Sequence, residues 1–326
     1  MKMRLAGLTL LTFSACTATS DNLNSAAQGG DVETASAART LAENKVSTDA
    51  LAKWRSGNPS WYAPVPPFQL IGDKGAGVYY VGTKSLGMFF IPTSQGHIVI
   101  DGGMPDQGTM VADAIVQLGY DPKDIKILLN SHAHLDHSGG LAALKAMSGA
   151  QLVASEGDRS ALEGGFYLGS EEDVYLFAPP VKVDRIIDDR ETVTLGDVTL
   201  TAHLHPGHTR GCTSWMMTAE QSGQSYELLF FCSATVAANR LIDPPQYENI
   251  VDDYRLTFAK ARKLKPDVFL ANHPGFFGLS KKRQMQKAGN PLAFVDDQHF
   301  GRFIVRSEQA FEAALAKQTA AAQSRR

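Results

Sequence analysis

Six consecutive residues, His132-Ala133-His134-Leu135-Asp136-His137, put three imidazoles and a carboxylate directly after the apolar run Ile125–Leu129. Any fold that accepts this cluster must deliver four ionisable groups to one place at the end of a β-strand. Crowded together without a cation, such groups would be solvated or shift their pKa values, whereas a divalent ion neutralises the carboxylate and uses the imidazole lone pairs. Neutral imidazole and carboxylate suit Zn²⁺. Six residues cannot comfortably wrap one tetrahedral ion with all four side chains, so further ligands are expected elsewhere. His208 lies in His205-Pro206-Gly207-His208-Thr209 after the run Val198–His205, and His273 lies in Asn272-His273-Pro274-Gly275 after Val268–Ala271. Alone, each reads as an ordinary turn histidine. Both, however, follow a predicted strand and open a Gly/Pro turn, the context of the first cluster. Three strand ends converging on one edge can hold two ions. The remaining histidines, His97, His203, His205 and His299, are not assigned to a metal.

In order and approximate spacing, His132-x-His134-x-Asp136-His137, His208 and His273 resemble the ligand motifs of the metallo-β-lactamase superfamily. The resemblance begins near Trp61 and Pro67-Phe68, passes through Val78-Tyr79-Tyr80-Val81-Gly82 and His97-Ile98-Val99-Ile100-Asp101-Gly102, and extends to His273. Within the superfamily the chain looks like the third subclass (B3-type) of class B β-lactamases, whose second zinc is held by Asp, His and His without a cysteine. Lactonase-like relatives commonly add a bridging aspartate after a later strand. Here that region reads Phe230-Phe231-Cys232-Ser233-Ala234-Thr235, with no carboxylate until Asp243. By the resemblance, Ser233 rather than Cys232 occupies the place that other subclasses give to a cysteine ligand, and His137 also points to the third subclass.

The resemblance implies two Zn²⁺, one held by His132, His134 and His208, the other by Asp136, His137 and His273. Asp136 would also be catalytic, orienting a hydroxide that the ions make available near neutral pH. The implied reaction is opening of a β-lactam amide without a covalent intermediate. Hydrolysis of lactones, thioesters or phosphoesters on the same fold is the alternative. Ser233 and Thr235 resemble a hydroxyl pair that anchors a substrate carboxylate, or else they satisfy a strand end. Asp101-Gly102-Gly103 reads as a tight turn beneath the site with a structural role. Loops around Gly164–Ala178 and Ala237–Gln246 would set substrate preference.

At 326 residues and 44% hydrophobic, the chain can build one large domain, expected over residues 51–326. Lys2 and Arg4 precede the apolar stretch Leu5–Phe13, too short to span a bilayer, so residues 1–16 read as a signal peptide and the protein as exported to a periplasm. Phe13-Ser14-Ala15-Cys16 resembles a lipobox that would lipidate Cys16 and anchor the protein; ordinary cleavage nearby is the other reading. Residues 17–50 lack periodicity and read as a flexible arm. No transmembrane helix is expected. Cys212 and Cys232 can form at most one disulfide, and the reading favoured here is a pair of buried free thiols. A net charge of −3 without a basic stripe argues against nucleic acid as a partner and leaves a small-molecule substrate.

The fold expected is a four-layer αββα sandwich with the metals at one edge between two mixed sheets. Strands are read at Val78–Val81, Met88–Ile91, His97–Ile100, Ile125–Leu129, Val198–Leu204, Ser214–Met217, Leu228–Cys232 and Val268–Ala271. Helices are read at Thr109–Leu118, Gly140–Met147 and Tyr254–Leu264, with a final helix capped by Ser307.

Overall fold

The computed structural model describes residues 46–73 and 77–325. The expected signal peptide, the lipid anchor at Cys16 and most of the 17–50 arm lie outside the described residues. Helix α1 (Thr48–Gly57) opens inside the span expected to be an arm, and Ser47 caps it by accepting from Ala50 N.

Seven strands form the first sheet in chain order: β1 (Phe68–Ile71), β2 (Val78–Tyr80), β3 (Phe89–Thr93), β4 (Gly96–Ile100), β5 (Ile125–Leu129), β6 (Gln151–Ala154) and β7 (Arg185–Ile186). The pairs up to β3–β4 are antiparallel and those from β4–β5 onward are parallel. The crossovers carry helices α2 (Gly108–Gln117), α3 (Leu135–Ser138), α4 (Leu141–Ser148) and α5 (Glu156–Gly164). The second sheet has the order β12-β11-β10-β9-β8, from β8 (Thr192–Leu195), β9 (Val198–Leu204), β10 (Thr213–Gln221), β11 (Gln224–Phe231) and β12 (Val268–Ala271). It too is mixed, because β12 joins β11 in parallel after the crossover helix α6 (Ile250–Ala261). Helices α7 (Pro274–Phe277), α8 (Leu279–Lys287) and α9 (His299–Gln323) complete the chain.

Strand alternation explains the layering. In β4, Ile98 and Ile100 enter the core between the sheets, while Val99 points the other way and packs with Val111, Ile115, Leu141 and Leu144 of the covering helices. In β11, Phe230 meets Phe89 of the first sheet with ring centroids 5.0 Å apart, and its neighbour Phe231 meets Phe300 of α9 at 5.2 Å. One strand therefore glues sheet to sheet and sheet to helix. The result is the four-layer αββα sandwich.

Two expectations need correction. The final helix starts at His299, not after Ser307; Ser307 lies inside it, and its hydroxyl donates back to Phe303 O. Phe300, Phe303 and Ile304 extend the buried stripe toward the N-terminus, and that burial sets where the helix begins. Cys212 and Cys232 are not free thiols but form a disulfide. They flank the antiparallel β10–β11 ladder, in which Trp215 faces Phe230, so the register brings them within one residue of facing each other. That register could not be read from either cysteine's own apolar surroundings.

Candidate metal centre

The parallel β4–β5 pair ends in two loops that meet. Asp101, in left-handed backbone with φ 64°, turns its carboxylate under the next loop. There it accepts from Ser131 N at 2.7 Å, Ser131 Oγ at 2.6 Å and Asn130 Nδ2 at 3.3 Å. The cluster is thereby pinned at its root. His134 then begins the four-residue helix α3, which carries Asp136 and His137. The chain just after that helix lies so close to the Asp101 turn that a Cβ on Gly140 would sit 2.2 Å from Gly102 O, so glycine is required there. His208 arrives from the end of β9 through Gly207, whose φ of 134° suits no side chain. His273 arrives from the end of β12.

The structure brings all six expected side chains into two groups, His132/His134/His208 and Asp136/His137/His273, each with donor atoms within 4.8 Å of one another. The His132 and His137 rings, one from each group, have centroids 4.5 Å apart. His208 Nδ1 donates to Thr235 O at 2.7 Å and His273 Nδ1 donates to Ser85 O at 3.0 Å, which leaves both Nε2 lone pairs directed inward. Asn272 Nδ2 lies 3.2 Å from His132 Nδ1, while its own Oδ1 has no partner. Turned about, that amide accepts the Nδ1 proton and frees His132 Nε2 as well. His208 Nε2 then stands 3.1 Å from His132 Nε2, and His137 Nε2 stands 3.3 Å from His273 Nε2. The facing lone pairs of His208 and His132 repel unless a cation lies between them, so the donor set fits bound metal.

Electrostatics separates the groups. Burial holds His132 and His134 well below the ordinary imidazole pKa, with the neighbouring imidazoles adding to it, and burial takes His208 down to about 4 against the Thr235 contact. These three are neutral ligands in waiting. For His137, burial lowers the pKa but Asp136 and then Asp101 outweigh it, so the value is raised. Asp136 is held below the carboxylate range because His137, 3.1 Å away, together with His273 and His134, overcomes the opposing effect of burial. Asp101 is pushed up to about 6 by burial, against His137 and Ser131. Its Oδ2 lies 3.7 Å from His137 Nδ1, so the turn read as structural also faces the second group.

Both groups open on a cavity of about 540 Å³. One wall is aromatic: Trp54 of α1 stacks on Trp61 at 5.5 Å and donates from Nε1 to Tyr175 O at 2.6 Å. Lys84 also lines the cavity. Of the two expected substrate-binding hydroxyls, Thr235 lines it, whereas Ser233 is buried behind and joins its Oγ to Thr235 Oγ1 at 3.1 Å. Strand β11 stops at Phe231, so both residues lie in the segment beyond it.

Several residues escaped the sequence. Tyr167 stacks on His134 at 4.2 Å and donates to Asn239 Oδ1 at 2.7 Å. Asn239 Nδ2 in turn donates to His208 O at 2.9 Å and Tyr254 Oη at 3.1 Å. Asp158, pushed up to about 6 by burial, gathers Ala133 N, Thr209 Oγ1 and Gly211 N. Only the Gly164–Ala178 and Ala237–Gln246 loops hinted at such partners. Cys232, closed in its disulfide, and Asp243, paired with Arg325, stay apart from both groups. His97 packs on Phe90, His203 on His205, and His299 on Phe269.

Residues 88–216 match the family model of the metallo-beta-lactamase superfamily. Among solved structures the chain is similar to BJP-1, a subclass B3 metallo-beta-lactamase of Bradyrhizobium japonicum. The identity is 50% and the TM-score 0.78, over 80% of this chain and 98% of that one. It is also similar to the FEZ-1 metallo-beta-lactamase of Legionella gormanii, at 33% identity and TM-score 0.75 over 79% and 98%. Among curated proteins, the N-acyl homoserine lactonase AttM of Rhizobium radiobacter is 26% identical over 192 residues, 52% of this chain and 66% of the lactonase. The chain thus spans just under two thirds of that relative. With half the aligned residues identical along nearly the whole of BJP-1, and with the sandwich built around two such groups, this chain belongs to the metallo-β-lactamase superfamily of metallo-hydrolases.

Proposed function

We propose that the protein is a dizinc β-lactamase. The observation that carries this reading is the pair of ligand groups in one cavity, His132/His134/His208 and Asp136/His137/His273, with Asp136 the single carboxylate in either group. The 50% identity to a subclass B3 enzyme supports it. Zinc bound there supplies water acidified toward a pKa of about 7 and a Lewis acid for the carbonyl. Asp136, whose carboxylate stays ionised, would accept a hydrogen bond from a water held there and orient it. A penicillin or cephalosporin carries its carboxylate on the carbon next to the amide nitrogen. Lys84 suits that anion: it is the one lysine or arginine lining the cavity among the described residues, and it adjoins Ser85, whose carbonyl holds His273. Thr235 offers its hydroxyl from the side of His208. The buried Ser214–His205 pair, at 2.8 Å, cannot serve as a nucleophile and base, because both side chains are closed to solvent. No acyl-enzyme is required.

The test is steady-state hydrolysis of a cephalosporin and a carbapenem by the zinc-loaded protein, beside a homoserine lactone and a thioester, each with a chelator control. Chelator-sensitive β-lactam turnover with kcat/KM on the order of 10⁴ M⁻¹s⁻¹ or more is expected. The lactonase relative favours a second reading, lactone or thioester hydrolysis at the same centre, and rapid turnover of those substrates with negligible β-lactam cleavage would establish it. The charged and apolar run at Lys2–Phe13 supports export to a periplasm, with Cys16 as the lipid attachment point.

A further inference from the structure

Beside the catalytic cavity lies a second groove of about 260 Å³, and the two share Thr235 and Phe276 as walls. The Phe276 ring stands between the two spaces, 5.3 Å from the His273 ring on one side and 5.1 Å from the Phe303 ring of α9 on the other. The groove is thus one aromatic ring from a candidate metal ligand. Its floor is apolar, from Val236, Phe303, Ala310 and Phe311. Its single charge is Arg306, three residues and so about one helical turn beyond Phe303. Arg306 is exposed and has no carboxylate within ion-pair distance among the described residues, whereas the nearby Arg302 pairs with Asp296 and Arg262 pairs with Glu308. An apolar groove that adjoins the reaction cavity and carries an uncommitted guanidinium matches an apolar chain with an anionic end.

We propose that this groove binds the acyl side arm of the substrate, and that Arg306 selects arms ending in a carboxylate. The proposal rests on the hydrolase reading of the cavity; it concerns the arm, not the bond that is cleaved. The occupant is therefore an N-acyl group with a medium-length methylene chain and a terminal carboxylate, laid over Phe276 with its head at the cavity.

The test uses cephalosporins with glutaryl, adipyl and suberyl arms against twins in which methyl replaces the terminal carboxyl, on the zinc-loaded enzyme. The wild type should show a KM at least threefold lower for the charged arm at the best length, with kcat shared by the pair. Arg306→Glu should reverse that preference by about tenfold and leave the methyl-ended twins unchanged. Ala310→Trp, which fills the groove, should raise KM for both twins, with kcat held. Both positions are exposed, so circular dichroism and melting temperature should match wild type. Equal KM for charged and methyl-ended arms in the wild type, or the same arm preference in wild type and Arg306→Glu, would overturn the proposal. If no β-lactam is opened, the β-lactamase reading fails separately. The same arms on a homoserine lactone and a thioester then report on the groove, and calorimetric titration of the uncleaved adipyl cephalosporin into wild type and Arg306→Glu reports on it with no turnover at all. Equal affinity there would again sink the idea.

Discussion

The two ligand groups share their chemistry and differ in how they are held. His132, His134 and His208 are neutral, buried and braced from outside: Asn272 and Ser131 lie against His132, Tyr167 stacks on His134, and Thr235 and Asn239 fix His208. Asp136, His137 and His273 carry the charge, and their bracing is thinner. Asp136 and His137 sit on a helix of four residues, and the His273 side chain is 27% exposed. One group is organised by packing and backbone carbonyls, the other by mutual electrostatics. In the first, an ion would be gripped by neutral groups; in the second, it would neutralise the carboxylate and take the place of the proton that Asp136 favours on His137.

The sharpest way to break this contrast is to remove one ligand from each group. On the proposed dizinc reading, His208→Ala should lower kcat/KM by about 10⁴-fold and bound zinc from two to one, because the Lewis acid would go with it. His273→Ala, at the exposed edge, should cost about 10²-fold and weaken the second zinc rather than abolish it. Metal content by plasma emission and steady-state kinetics check both. Equal losses would mean that the bracing of the two groups does not matter.

Asp101→Asn tests the electrostatic side alone. The amide keeps the shape but loses the charge facing His137 Nδ1 and one of the acceptors for Ser131. A 10–100-fold loss in affinity for the second zinc is expected, with the first unchanged, since removing an outer partner typically costs that much. Competitive titration against a chromophoric chelator resolves the two steps.

The ligand set was legible because each ligand follows a strand and precedes a turn, and because four donors in six residues announce a cation. The bracing was not. Asn239, Tyr167 and Tyr254 lie in unrelated stretches of chain and meet only through the tertiary fold; none has a local signal, since a tyrosine or asparagine in a loop is ordinary. The sheets were read where alternation is strong, as at Val198–Leu204, or where a short run is wholly apolar, as at Val268–Ala271, and missed where strands are short or lie at edges, as at Phe68–Ile71 and Arg185–Ile186. The strand ends two residues before Ser233, yet its hydroxyl still meets that of Thr235 at 3.1 Å, with Thr235 the one that lines the cavity.

Asn239→Ala probes the packed side. It strips the donor from His208 O and the acceptor from Tyr167 Oη, leaving buried groups unsatisfied at a cost of about 1–3 kcal/mol. The expected result is a lower melting temperature and a first-zinc affinity reduced by less than tenfold. A loss confined to the second zinc would reverse the assignment of this network to the first group.

The smallest effect separates burial from metal. His205 lies outside both groups, fully buried, with Nδ1 against Ser214 Oγ at 2.8 Å and Nε2 without a partner. Burial first, then Lys260 and His203, take its pKa down to about 3, with Asp189 opposing and Arg190 adding to the fall. Its folded pKa is thus below its unfolded value near 6.5. Between those values the unfolded chain binds a proton that the folded chain refuses, so stability falls as pH drops from 6.5 and is unaffected above it. At pH 5.5 the penalty is roughly 1 kcal/mol. His205→Asn retains a donor toward Ser214 and cannot titrate, so its melting temperature should decline less steeply than that of wild type between pH 6.5 and 5. The ligand histidines are common to both proteins and cancel in the comparison. Parallel declines would show that the buried neutral imidazole of His205 costs nothing in acid, and that the acid sensitivity of this fold arises elsewhere, in the ligand groups or in His203, whose pKa burial takes down to about 4.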